Sequence, residues 1–170
     1  MLPGVTLRPV QAGDMAFLYR LYATTRAEEM ALLADWSDAR KEDFVRGQFN
    51  AQHAYYQSHY PDARYDIIVK DRGDIGRMYV CPMTHEIRLM DITLLPERRN
   101  RGIGGTLVRE VMVEAEDSQR FVSLYVEDQN PAKRLYERLG FVDAGEVPFY
   151  KLMRWVPAGL TPVFADASPS

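Results

Sequence analysis

Residues 98–106 read Arg98-Arg99-Asn100-Arg101-Gly102-Ile103-Gly104-Gly105-Thr106, a cluster of arginines running into a cluster of glycines. Glycine lets a main chain approach an oxyanion with no Cβ in the way. The first N–H groups of a helix have no internal acceptor and carry a partial positive charge. Such a segment, entering a helix, has the chemistry to hold a small anion such as a phosphate. A P-loop would place Lys before its Ser/Thr, but Gly105 runs directly into Thr106. A dinucleotide fingerprint would place a glycine three residues after Gly104, where Leu107 stands, and would follow its strand without a six-residue loop. Neither pattern fits. The plain alternative is a glycine-rich loop with a solvated basic face.

Proton chemistry has its own candidates. Asp91 interrupts the apolar run Leu89-Met90-Asp91-Ile92, and a charge in such a run needs a partner or a task. Glu86 opens the same segment. In a regular strand Glu86 and Asp91 face opposite ways, and a bulge between them would put them on one face. Glu127 closes a second apolar run and is a third carboxylate. Tyr136, with an ordinary phenol pKa of about 10, is a proton donor in principle; its plain reading is helix packing beside Ala132 and Leu139. The plain reading of Asp91 is a salt bridge to a helix arginine. The three histidines, His53, His59 and His85, have no ligand spacing, and Cys81 reads as a small buried apolar group, so no metal site is expected.

These residues need elements to place them. Val5–Val10 alternates as a strand, and Asp14 is placed to cap a helix in which Phe17, Leu18, Leu21 and Tyr22 recur at helical spacing. Ser37 or Asp38 starts a second helix that runs to about Ser58 and is closed by Pro61. Arg64–Lys70 and Ile75–Cys81 are strands joined by a turn at Asp71–Asp74, and Glu86–Leu95 is a longer strand ended by Pro96. Short turns between successive strands imply an antiparallel meander. A helix over Ile103–Ala115 follows, then a strand at Phe121–Val126 apolar enough to be covered on both faces. Asn130-Pro131 starts a last helix that Gly140 ends, and Phe141–Val142 and Phe149–Val156 are the final strands. Residues 1–156 read as a single domain and 157–170, rich in Pro, Ala and Ser, as a loosely attached C-terminal tail.

Composition narrows the classes. The chain has 170 residues, 46% of them hydrophobic and 26% charged, which suits one globular domain and not a disordered segment. A net charge of -3 argues against a dedicated nucleic-acid binder. A single cysteine excludes an internal disulfide framework. No apolar run approaches the roughly 20 residues a membrane helix needs, and Met1–Pro9 lacks the form of a secretory signal. The expectation is a cytoplasmic protein with no membrane partner.

Arg99, Gly102 and Gly104 match Arg/Gln-x-x-Gly-x-Gly/Ala, and Leu94-Leu95-Pro96-Glu97 precedes them; by these residues the chain resembles the GNAT superfamily of N-acetyltransferases. Asn100 departs from the pattern, since many members have glycine there; Asn tolerates a left-handed backbone. A second stretch, residues 124–141, is similar to the other hallmark of that superfamily through Asn130, Ala132, Leu135-Tyr136 and Gly140-Phe141. The resemblance implies a mixed α/β (α+β) fold, an acyl-CoA N-acyltransferase sheet of six or seven strands flanked by about four helices. It implies acetyl-CoA as cosubstrate and a primary amine of a small molecule or peptide as acceptor, acetylated by direct attack in a ternary complex. It implies that backbone amides from Arg99, Asn100, Arg101, Gly102, Ile103 and Gly104 to Gly105 hold the pyrophosphate, with the Thr106 hydroxyl adding to them. The main chain of Leu94 and Leu95 and the side chain of Asn130 would meet the pantetheine arm. Tyr136 would be the general acid beside the cofactor, and Asp91 or Glu86 the base. The acceptor would enter over the first two helices, a region carrying Trp36, His53, Tyr55, Tyr56, His59 and Tyr60 whose plain reading is packing. A homodimer is common in the superfamily, but no interface is legible here. A non-catalytic acyl-CoA-binding module is the alternative, and a nucleotide-dependent oxidoreductase the reading from another class.

Overall fold

A computed structural model describes residues 2–161. Seven strands form one sheet in the order β1-β2-β3-β4-β5-β7-β6. They are β1 (Val5–Pro9), β2 (Arg64–Lys70), β3 (Gly73–Pro82), β4 (Glu86–Leu94), β5 (Phe121–Glu127), β6 (Val142–Val147) and β7 (Tyr150–Trp155). The helices are α1 (Met15–Ala31), α2 (Asp38–His59), α3 (Ile103–Asp117) and α4 (Ala132–Arg138). Every neighbouring pair of strands is antiparallel except β4–β5, which is parallel and reached through α3. Seven strands in one mixed sheet with four helices match the six or seven strands and about four helices expected from the sequence.

Local chemistry explains the boundaries. The Ser37 hydroxyl accepts from the Arg40 N–H at 3.1 Å and starts α2. The turn between β2 and β3 is tighter than Asp71–Asp74: Asp71 and Arg72 both take positive φ, and β3 begins at Gly73. A two-residue turn of that kind matches the right-handed twist of the strands it joins. Asp14 does not cap α1 as expected. Its carboxylate takes two hydrogen bonds from Arg8 at 2.9 and 2.8 Å and one from the Gln11 N–H at 2.7 Å. The Arg8 guanidinium holds that carboxyl down to about 2. A charged, bidentate partner outcompetes a cap made with one backbone N–H.

The sheet separates two cores. On one side α3 and α4 cover Ile68, Met78, Val80, Ile87, Leu89, Val122, Leu124 and Met153 with Leu107, Val108, Val111 and Tyr136. On the other, α1 and α2 lay Leu18, Tyr22, Val45 and Phe49 over Ile67. Pro157, just past β7, is fully buried. Residues 162–170 of the expected tail lie outside the described residues. No helix among the described residues is long and apolar enough to cross a membrane.

Three strands are irregular: against β2, the pairing of β3 jumps from Ile68↔Gly76 to Val69↔Asp74, so Ile75 is an extra residue. β6 gains a residue between Asp143 and Gly145. In β4 the pairing with β3 jumps from Tyr79↔Asp91 to Val80↔Leu89, so Met90 is an extra residue. On the stretch of β4 past this bulge, Gly76 of β3 faces Leu94 so closely that a Cβ would lie 2.3 Å from the Thr93 carbonyl oxygen. Gly76→Ala should therefore cost roughly 2–4 kcal/mol of stability, read as a lower urea midpoint at unchanged slope. An unaltered midpoint would mean that the strands can separate there freely.

Candidate functional site

The extra residue at Met90 has two consequences. Glu86, Arg88, Asp91 and Thr93 now share the α1/α2 face of the sheet: Arg88 bonds Glu86 and the hydroxyl of Tyr60 just past α2, and Asp91 bonds Thr93 and, through Arg77, Gln52 of α2. The β4–β5 ladder also stops there: its last pair is Leu89↔Leu124, and beyond it Tyr125–Glu127 pairs only with β7. Two parallel strands thus part company in mid-sheet. The Leu95 N–H is spent on the Ile75 carbonyl of β3 at 2.8 Å. Because ladder groups alternate, the peptide groups of Ile92 and Leu94 turn the other way, into the gap.

At the top of β4 the chain makes a short turn over Pro96–Arg98 and then takes left-handed conformations at Asn100 (φ 61°) and Gly102 (φ 81°) before α3 begins. Asparagine does here what glycine would. The N–H groups of Asn100, Arg101, Gly102, Ile103, Gly104 and Gly105 find no protein acceptor among the described residues. That of Arg99 donates to the Pro96 carbonyl at 3.3 Å, so the open row starts one residue later than expected. A Cβ on Gly104 would enter empty space, which leaves room for a ligand against the main chain; one on Gly105 would press on Leu135 of α4. The Thr106 hydroxyl donates to the Gly102 carbonyl at 2.9 Å and tightens the first turn. Arg98 and Arg101 have no ion-pair partner among the described residues and flank this turn with positive charge. Oriented N–H groups, free space and unpaired cations together can hold a polyanion.

Below the turn, Asp91 is 14% exposed and pairs with Arg77 of β3, itself 4% exposed. The other carboxylate oxygen accepts from the Thr93 hydroxyl at 2.6 Å. Arg77 in turn donates to Gln52 of α2 at 2.7 Å and lies over the Tyr79 ring. The partner expected for Asp91 was a helix arginine; it is a strand arginine on the neighbouring β3 residue set. Tyr136 stands on α4 with its ring buried against Phe141 and its hydroxyl making no hydrogen bond to the protein. Burial pushes that phenol well above its ordinary pKa, and the nearby Asp91 carboxylate adds to the shift.

Glu86 lies elsewhere. It opens β4 opposite Phe121, where β4 and β5 are still paired, and accepts from Arg88 at 3.1 Å. Five residues of strand put it about 16 Å from Asp91. Arg88 gathers Glu86, Ser123 and the Tyr60 hydroxyl into a separate cluster. The Asn130 Oδ1 accepts from the Ala132 N–H at 2.9 Å and starts α4, which begins at Ala132.

Tyr56 of α2 and Tyr60 just past it turn toward this cluster of polar groups; burial raises the Tyr56 phenol and the Asp91 charge adds to it. Arg40 lies over the Trp36 ring, which meets Phe44 edge-on, His53 stacks on Phe49, and Tyr55 on His59. Tyr125 and Tyr150, both partly exposed, lie on the β5–β7 side of the gap with Glu127. Cys81 is buried in β3, and burial raises its thiol above the ordinary range. No group of three or more metal-binding side chains is arranged around an ion among the described residues. Arg77, Arg26, Tyr125 and Tyr150 were not among the sequence candidates. Arg77 carried the same signal as Asp91, a lone charge in an apolar strand.

Residues 61–143 match the family described as the acetyltransferase (GNAT) domain. A search of curated protein sequences returns no match. Among solved structures, the chain is similar to the PaiA N-acetyltransferase of Thermoplasma acidophilum in complex with coenzyme A, at 18% identity and TM-score 0.68 over 90% of this chain and 99% of that one. It is similar to the spermidine N-acetyltransferase of Vibrio cholerae in complex with CoA and spermine, at 19% identity and TM-score 0.59 over 90% and 94%. A GNAT family acetyltransferase of Elizabethkingia anophelis with acetyl-CoA bound gives 17% identity and TM-score 0.60 over 92% and 100%.

Breaking the buried pair is the sharpest test of this geometry. Arg77→Leu strands the Asp91 charge and should cost about 3–5 kcal/mol, whereas Arg77→Leu with Asp91→Leu should recover most of that loss. Urea unfolding of the two variants checks it.

Proposed function

We propose that this chain, whose residues 61–143 match the acetyltransferase (GNAT) domain, is a GNAT acetyltransferase that transfers the acetyl group of acetyl-CoA to a primary amine by direct attack in a ternary complex. The observation that carries the reading is the gap where β4 leaves β5, with Tyr136 and Asp91 beside it and the row of open amides above it. The acceptor is a small molecule or peptide amine reaching the gap from the α1/α2 face, past Tyr125, Tyr150 and Tyr56.

The residues present fit the cosubstrate. The N–H groups from Asn100 to Gly105 suit a pyrophosphate, and the bare face of Gly104 admits it. Arg98 and Arg101 supply positive potential to a protein that is acidic overall. The edge groups of Ile92 and the N–H of Leu94 suit an arm bearing amides, which would stand in for the missing strand, the Leu94 carbonyl being taken by Arg99. Acetyl-CoA supplies an activated thioester. Tyr136 holds a proton at its hydroxyl, kept there by burial to a pH well above neutral, and is the general acid for the departing thiolate. Asp91 has both oxygens engaged, by Arg77 and Thr93, so its part is to set the field around Tyr136 and to orient a water or the amine. The amine need not lose its proton to Asp91, since a minor free-amine population reacts. Glu86 lies too far down β4 to take part.

Tyr136→Phe should lower kcat by about 10- to 100-fold while the Kd of CoA, read by calorimetry, stays within about twofold. With Tyr136 protonated throughout, the rate should rise with pH as the amine deprotonates and show no fall up to about pH 10. An unchanged kcat in the variant removes Tyr136 from the mechanism. Gly104→Leu should leave Tm unchanged or raised, since leucine favours helix more than glycine by up to about 1 kcal/mol, and should weaken CoA binding by about tenfold or more. Retained affinity would place the pyrophosphate elsewhere.

A further inference from the structure

We propose that Arg99 is a positioning residue whose guanidinium sets the width of the gap between β4 and β5, and that it is not a ligand of the anion. The proposal rests on the reading of that gap as the reaction site.

The motif makes Arg99 look like a third phosphate cation beside Arg98 and Arg101. Its side chain goes the other way. The Nε–H donates to the Leu94 carbonyl at 3.0 Å, and an Nη2 hydrogen reaches the Thr24 hydroxyl oxygen of α1 at 3.4 Å. The Leu94 carbonyl is the one that faces the gap, because the adjoining Leu95 N–H is turned to β3. Thr24 is prepared to accept: its own hydroxyl hydrogen is committed to the Leu21 carbonyl at 2.7 Å, which leaves lone pairs for Arg99.

Two residues along α1, Arg26 does the matching work on the other lip. Its side chain is 17% exposed, bonds the Tyr22 hydroxyl at 3.2 Å and Glu29 at 3.0 Å, and reaches Glu127 at 3.6 Å. Glu127 is the last residue of β5, past the point where β4 has left it. The stretch Thr24–Arg26 thus spans the mouth of the gap, held to β4 through Arg99 and to β5 through Arg26. The links at 3.4 and 3.6 Å are weak, and exposed ones contribute little to stability. Their effect lies in geometry, where a misplacement on the order of 1 Å can cost on the order of 100-fold in rate.

The test compares Arg99→Ala, Arg99→Lys, Thr24→Val and Thr24→Ser for kcat with an amine that the wild type acetylates, and for the Kd of CoA at low and moderate salt. Arg99→Ala should lower kcat by about tenfold with CoA affinity and its salt dependence unchanged within about twofold. Arg99→Lys should behave like Arg99→Ala, because an ammonium cannot hold both acceptors at once. Thr24→Val should fall in the same direction, the double variant Arg99→Ala with Thr24→Val should fall no further than Arg99→Ala alone, and Thr24→Ser should keep wild-type rate. The proposal is overturned if Arg99→Ala loses about tenfold in CoA affinity and Arg99→Lys restores it, or if kcat is unmoved in Arg99→Ala. A wild type that binds CoA yet acetylates no amine fails the functional reading instead, and the affinity comparison still decides whether Arg99 touches the anion.

Discussion

One surplus residue governs this structure. A β-ladder is a register, and Met90 adds a residue to β4 that β3 does not match. A slip of one position exchanges the two faces of a strand. Downstream of Met90, Asp91 and Thr93 therefore look toward α1 and α2 rather than into the core under α3, and the strand bends away from β5. Carboxylate placement, open backbone edge and cleft are three results of one irregularity. A regular β4 would bury Asp91 among Ile87, Leu89 and Val108, an arrangement that the cost of an unpaired charge forbids.

The burial of Arg77 and Asp91 follows from the same cause. Neither ion would be stable alone at that depth, but each is the other's principal partner, and Gln52 and Thr93 occupy further donors and acceptors. Because Arg77 also reaches α2, the pair fixes how that helix sits over the sheet. The glycine turn is built on a different principle. It keeps its amides unsatisfied, in left-handed conformations that Asn100 and Gly102 hold at small cost, and a row of donors at a solvent-facing helix start can remain open because water can serve them.

The elements were legible wherever residues punctuate the chain. Ser37, Pro61, Pro96 and Gly140 stand at boundaries because of what their own backbones or side chains do, and those boundaries fell within a residue or two. The glycine turn was legible because its chemistry is written in consecutive residues. What escaped depends on partners far apart in sequence. Nothing in Met90 marks it as surplus; a bulge is a mismatch between two strands and belongs to neither alone. Arg99 meets Thr24 across 75 positions, so its motif neighbours suggested a phosphate while its real acceptors were out of view. Asp14 had the right place for a cap, yet Arg8, six residues back, offered a charged pair instead. Asp91 was singled out correctly as an oddity, and the strand arginine that answers it could only be found once β3 and β4 were in register.

Cys81 bears on how the protein can be studied. It is the sole cysteine, it lies buried in β3 away from the gap, and its raised thiol pKa keeps it from forming the thiolate that reagents attack. The folded protein is therefore nearly silent to thiol-reactive dyes. A sulfhydryl liberated by the proposed acetyl transfer would be counted against a dark background, and a signal from the protein itself would report unfolding of β3, so that one reagent would read release and integrity in separate phases.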